Sequence, residues 1–73
     1  MSEILRAEMV ASVQQVLVGV GDRVDSGQQL IILESMKMEI PVLAETNGVV
    51  SQVAVAVGDV VQEGDVLVVT ADP

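Results

Sequence analysis

Residues 13–33 read VQQVLVGVGDRVDSGQQLIIL, and residues 50–70 read VSQVAVAVGDVVQEGDVLVVT. Ten of these 21 aligned positions are identical, and the two stretches lie 37 residues apart. Both contain the pattern V-G-D-x-V-x-x-G-x-x-L. Self-similarity at a fixed offset indicates a duplicated structural unit. The sequence therefore predicts a single domain over residues 1–73, built from two similar halves at about residues 1–36 and 38–73.

The composition favours β structure. Seventeen of the 73 residues are valine, whose branched side chain packs well on a pleated surface. The Gly-Asp dipeptides at 21–22 and 58–59, with glycines at 27 and 64, indicate turns. No segment shows a sustained 3.6-residue apolar repeat, so we predict no helix. We predict longer strands at residues 3–7, 12–18, 29–34, 38–43, 49–57 and 66–70, and very short strands around Val24 and Val61.

The arrangement of these strands follows from the repeat. Two similar halves, each with about four short strands, favour two packed sheets related by a pseudo-twofold axis. Pairing of the first strand with the last would protect strands that otherwise have a free edge. Pro41 has no backbone N–H to donate, so we expect it on an edge strand or at a position where the missing N–H would face solvent.

Several classes of function are disfavoured by what the chain lacks. A net charge of −8 would repel nucleic-acid backbones and anionic membranes. The absence of aromatic residues removes the stacking surfaces that single-strand nucleic-acid binders use. No cysteine or histidine is present, so thiolate and imidazole metal ligands are missing. With no signal-peptide pattern and no long apolar run, we expect a cytoplasmic protein.

The junction of the two halves reads Glu34-Ser35-Met36-Lys37-Met38-Glu39. Apolar strands on both sides predict a hairpin with a two-residue tip at Met36-Lys37. Such tips normally contain Asn-Gly or Asp-Gly, because a type I′ turn needs positive φ at both positions. The same register places Glu34 opposite Glu39, which is unfavourable for like charges. Lys37 is also the only lysine of the chain.

Plainer interpretations of this tip remain open on the residues alone. A lysine at a hairpin tip is most often a solvated charge. Here its positive charge would also compensate the negative charges of two nearby glutamates. The two methionines could fold back and cover the end of the sandwich. The other acidic residues are most simply a solvated surface.

The junction resembles the biotin-attachment motif E-A-M-K-M of the biotinyl/lipoyl attachment family, with Ser35 in place of the usual alanine. The two G-D-x-V-x-x-G-x-x-L blocks resemble the duplicated scaffold of the same family. The resemblance covers nearly the whole chain. Within the family it is closest to small, stand-alone biotinylated carriers. Residues 18–21 leave no room for the protruding thumb loop of some bacterial carriers.

The resemblance implies an all-β fold, a flattened eight-stranded barrel or sandwich of two four-stranded antiparallel sheets. Lys37 would project from a tight hairpin at one end, with both chain termini at the other. A biotin protein ligase would join biotin to Lys37 through an amide bond. The flanking motif residues would be recognised by the ligase and by carboxylase partners; they are Glu34, Ser35, Met36, Met38 and Glu39.

The function that the resemblance implies is that of a biotin carrier without catalysis of its own. A lysine amine is mostly protonated at pH 7 and is a poor nucleophile until a base deprotonates it, so we expect activation by the ligase. The biotin would then carry carboxylate between biotin carboxylase and carboxyltransferase components in trans. One alternative is a lipoyl carrier, although Met36 and Met38 favour biotin. The other is an unmodified interaction or regulatory module on the same fold.

Overall fold

In the computed structural model, which describes residues 2–73, the chain is all-β. The eight strands of these residues lie close to the predicted positions. They are β1 (Glu3–Arg6), β2 (Ala11–Val16), β3 (Arg23–Val24), β4 (Gln29–Ser35), β5 (Met38–Leu43), β6 (Gly48–Val53), β7 (Val60–Val61) and β8 (Val66–Ala71). Met1, the first residue of the predicted domain, lies outside the described residues.

The strands form two four-stranded antiparallel sheets, which confirms the predicted fold class. The first sheet has the order β1-β8-β6-β3, and the second has the order β5-β4-β2-β7. A shift of 37 residues relates β1 to β5, β2 to β6, β3 to β7 and β4 to β8. The same shift therefore converts the order of one sheet into the order of the other. Each sheet takes two strands from each half, so neither half has a complete sheet alone.

The turns of the two halves repeat the same hydrogen bonds. Gly21 and Gly58 both have a φ of 95°, a conformation that costs glycine little. The aspartate after each of them closes the turn with its side chain. Asp22 Oδ2 accepts a hydrogen bond from Gly19 N at 2.8 Å, and Asp59 Oδ2 accepts one from Ala56 N at 2.9 Å. This explains why Gly-Asp occurs at both positions.

Two of the predicted strands are too long. We predicted strands over residues 12–18 and 49–57, but β2 ends at Val16 and β6 ends at Val53. In each half the next residues carry the chain from one sheet to the other. Leu17 N and Ala54 N still donate hydrogen bonds to Leu30 O and Leu67 O, both at 2.9 Å, but the paired strand does not continue beyond them. Val55 packs against the core while Ala54 is exposed. A period of two reports an extended backbone, which need not continue as a paired strand.

The core lies between the sheets, and the edges are arranged as predicted. Leu30, Ile31, Leu67 and Val68 have no exposed surface. β1 pairs with β8, with Glu3 opposite Thr70. Pro41 lies on β5, an edge strand, where its missing N–H breaks no ladder within the sheet. The connection between β2 and β3, residues 17–22, is as short as its counterpart at 54–59 and forms no protruding loop.

Candidate functional site

The hairpin between β4 and β5 has the predicted two-residue tip. Ser35 pairs with Met38, and only Met36 and Lys37 lie between them. Their φ values are 53° and 65°, so both adopt the left-handed conformation of a type I′ turn. This conformation costs a residue other than glycine about 1–2 kcal/mol. The ladder of paired residues between β4 and β5 holds the tip in this strained geometry.

The two glutamates of the motif lie directly opposite each other, as predicted. Glu34 pairs with Glu39 across the ladder. The neighbouring Leu33 and Ile40 point inward, because side chains alternate along a strand. Both carboxylates therefore lie on the outer face of the sheet, where they are exposed. Neither takes part in an ion pair within residues 2–73.

The methionines do not cover the end of the sandwich. Met36 is 91 % exposed and Met38 is 64 % exposed. The alternative in which they fold back over the core is therefore wrong. Ser35, by contrast, is half-buried at the last pair of the ladder. Two exposed thioether side chains beside a lysine form an adaptable apolar surface of the kind that suits recognition by a partner.

Lys37 is exposed, and among residues 2–73 no carboxylate forms an ion pair with its ammonium group. A direct ion pair with Glu34 or Glu39 therefore does not explain its position. The chemistry open to this group is that of a primary amine presented on a rigid turn. The other ionisable side chains of the hairpin are the carboxylates of Glu34 and Glu39. A carboxylate is a far weaker base than an amine, so the hairpin itself does not activate the amine for acylation.

The register adds two residues that sequence reasoning missed. Ser12 pairs with Glu34 on one side and with Val60 on the other. Its hydroxyl also donates a hydrogen bond to the carbonyl oxygen of Glu34 at 3.4 Å. Glu39, Glu34, Ser12 and Val60 thus form one row across the outer face, and Val60 is 70 % exposed. Only knowledge of which strands are neighbours would have revealed this row.

Two other kinds of site are absent from residues 2–73. No helix in this range is long and apolar enough to cross a membrane. The same residues bring together no group of three or more acidic, histidine or cysteine side chains that could hold a metal ion.

Fold and hairpin together define a small carrier-type domain, in which a duplicated β-sandwich presents a single lysine on a strained tip. The Biotin_lipoyl family, described as "Biotin-requiring enzyme", matches residues 3–70. The chain therefore belongs to the biotin/lipoyl attachment family, as the sequence motif indicated.

Individual relatives agree with this assignment. The "Biotinylated protein TB7.3 homolog" of Mycobacterium leprae is 58 % identical over 50 residues, which cover 68 % of this chain and 70 % of that protein. The urea carboxylase of Kluyveromyces lactis superimposes with a TM-score of 0.90 at 34 % identity. That match covers 97 % of this chain but only 6 % of the carboxylase.

A lipoyl domain shares the fold as well. The lipoyl domain of the 2-oxoglutarate dehydrogenase complex from Azotobacter vinelandii superimposes with a TM-score of 0.77 at 21 % identity. The match covers 93 % of this chain and 96 % of that domain. At this level of identity the likeness concerns the fold alone.

The strain at the tip gives a first testable prediction. Met36→Asn should stabilise the folded chain by about 0.5–1 kcal/mol, because asparagine tolerates positive φ better than methionine does. Far-UV circular dichroism during urea unfolding measures this difference, and the chain has no aromatic residue for fluorescence. Met38→Asn is the matched control, since Met38 lies in β5 without a positive φ. An equal gain in both variants would contradict the role of strain.

Proposed function

We propose that this chain is a biotin carrier and that Lys37 is the residue that holds the cofactor. The observation that carries the proposal is the position of the only lysine. It is exposed, forms no ion pair within residues 2–73, and lies on a tip whose backbone is strained. Membership of the biotin/lipoyl family supports it. So does the relative from Mycobacterium leprae, which is named a biotinylated protein.

Attachment is an acyl transfer to the Lys37 amine. The nitrogen Nζ attacks the carbonyl carbon of an activated biotin, an amide C–N bond forms, and the activating group leaves. The nitrogen gives up its proton to a base of the biotin protein ligase, since the carboxylates of the hairpin are far weaker bases than an amine. The tip contributes position, because the two paired strands hold the lysine away from the core.

The motif residues around Lys37 form the surface that the ligase and later partners recognise. Met36 and Met38 supply exposed apolar contacts, and Glu34 and Glu39 supply two carboxylates on one face. Ser35 pairs with Met38 in the last pair of the ladder before the tip. Bound biotin supplies a ring nitrogen that accepts and releases carboxylate. The chain itself catalyses no step and meets biotin carboxylase and carboxyltransferase components in trans.

The intact mass of the protein, purified from its own host grown with ample biotin, tests this proposal. We expect a mass increment equal to one biotinyl group and a signal with streptavidin. Peptide mapping should place the increment on Lys37. An increment equal to a lipoyl group would assign the chain to lipoyl carriers instead. An unmodified lysine in biotin-replete cells would contradict both and favour an interaction module.

A further inference from the structure

A second surface lies away from the tip, in a groove between the edge strands β1 and β5. This edge groove has a volume of about 400 Å³, and its floor includes the buried Leu5 and Leu33. Apolar side chains on its rim are partly exposed: Ile4 at 50 %, Leu43 at 43 % and Met9 at 40 %. An open apolar groove bordered by polar groups is typical of an interaction site.

The rim of the edge groove is also acidic. Glu8 and Glu45 both line it, and Glu45 interacts with Glu3. The pKa of the Glu45 carboxyl is raised, chiefly by its hydrogen bond to Glu3 and by repulsion from that carboxylate, with smaller effects of desolvation and of Glu8. These acids therefore repel one another.

The basic residue of the groove does not relieve this repulsion. Arg6 lines the groove, but its Nη1 donates a hydrogen bond to the carbonyl oxygen of Gly64 at 2.9 Å. Within residues 2–73 it forms no ion pair with the rim carboxylates. A positive charge from outside the chain would fit beside Glu8 and Glu45, above an apolar floor.

We propose that the edge groove binds an extended segment of a partner protein, with aliphatic side chains in the groove and lysine or arginine side chains beside Glu8 and Glu45. The groove lies between two edge strands, β1 and β5, so an extended segment can follow it along their length. A second copy of this chain is disfavoured, because each copy has a net charge of −8.

The contact relies on side chains rather than on the addition of a strand. Pro41, in the middle of β5, interrupts the row of backbone donors that a strand on that edge would need. Apolar burial and charge therefore provide the affinity. The lining of the groove includes none of residues 34–39, so the test needs no biotin on Lys37.

The probe for this proposal is a short synthetic peptide of alternating leucine and arginine, added to the 73-residue chain with methyl-labelled side chains. We expect NMR shifts at the methyl groups of Ile4, Met9 and Leu43, and weaker binding at high salt. A peptide with glutamate in place of arginine should not bind. Absence of binding, or shifts spread evenly over the surface, would overturn the proposal. Self-association through the same methyl groups without peptide would assign the groove to a second copy and would also overturn it.

Variants separate specific docking from general attraction to an acidic protein. Removing both rim charges with Glu8→Gln and Glu45→Gln should weaken binding about two- to fivefold for each carboxylate. Glu63→Gln makes the same chemical change outside the groove and should have almost no effect. Ile4→Ser should weaken binding about three- to tenfold, whereas Val57→Ser, at a comparably exposed position, should not. Equal losses in the variants and their controls would contradict a defined groove site.

Discussion

Lys37→Arg is expected to abolish biotinylation completely and to leave the fold unchanged. Arginine keeps the positive charge and the long side chain, but its guanidinium is not deprotonated by an ordinary base and is not acylated. The side chain is exposed and forms no ion pair within residues 2–73. Folding energy therefore does not depend on the amine. Incubation with a biotin protein ligase, ATP and biotin, followed by intact mass and far-UV circular dichroism, measures both parts of the prediction.

A relocated lysine provides the control for this experiment. The double variant Lys37→Arg with Arg23→Lys keeps one lysine, now exposed on β3 instead of the hairpin tip. We expect no labelling of it, because position 23 lies outside the motif and outside the strained turn. Labelling at position 23 would show that the ligase reads an exposed amine alone. Residual labelling of Lys37→Arg itself would place the attachment site elsewhere.

Gly48→Ala is expected to destabilise the fold by about 1–3 kcal/mol, the usual cost of overpacking. A Cβ at Gly48 would lie 2.5 Å from the carbonyl oxygen of Ala71. That oxygen belongs to the backbone at the end of β8, and the adjacent Thr70 is buried. The end of β8 would therefore have to move. For a domain of 60–100 residues, each kcal/mol lowers Tm by about 4–8 °C, so thermal unfolding followed by circular dichroism resolves the loss.

Gly19 supplies the matched control for Gly48. It lacks a positive φ, and the nearest atom to an added Cβ is Asp22 Oδ2, at 4.0 Å. Gly19→Ala should therefore change stability by no more than about 0.5 kcal/mol. If both substitutions cost the same, the close approach to Ala71 would not explain the loss, since the effect of alanine on the unfolded chain alone would stabilise the fold.

The sequence predicted those features of the molecule that local pattern and repetition determine. The 37-residue repeat led to two sheets, and the residues beside Lys37 led to a two-residue tip with Glu34 opposite Glu39. In both cases the cause lies within a few residues along the chain. The pairing of β1 with β8 was also expected, because an all-β domain must protect its edges.

Features that depend on which strands become neighbours could not be predicted. The row that joins Glu34 to Ser12 and Val60 needs the β4-β2-β7 order and its register. The edge groove needs the relative position of two edge strands from different sheets. Likewise, alternation in residues 53–57 could not reveal that the paired strand β6 ends at Val53. Each of these properties is set by contacts between distant parts of the chain.

The 37-residue shift that exchanges the two sheets also has a consequence for the chain's connectivity. Applied to Met36 and Lys37, this shift leads to the point between β8 and β1, the last and first strands. These two strands are paired, but no turn connects them. A circular permutant in which β8 is joined to β1 and the chain is opened at the tip would therefore have the same strand neighbours. We therefore expect a permutant opened at the tip to keep the fold, which would leave the residues of the tip free to be selected by the enzymes that bind them.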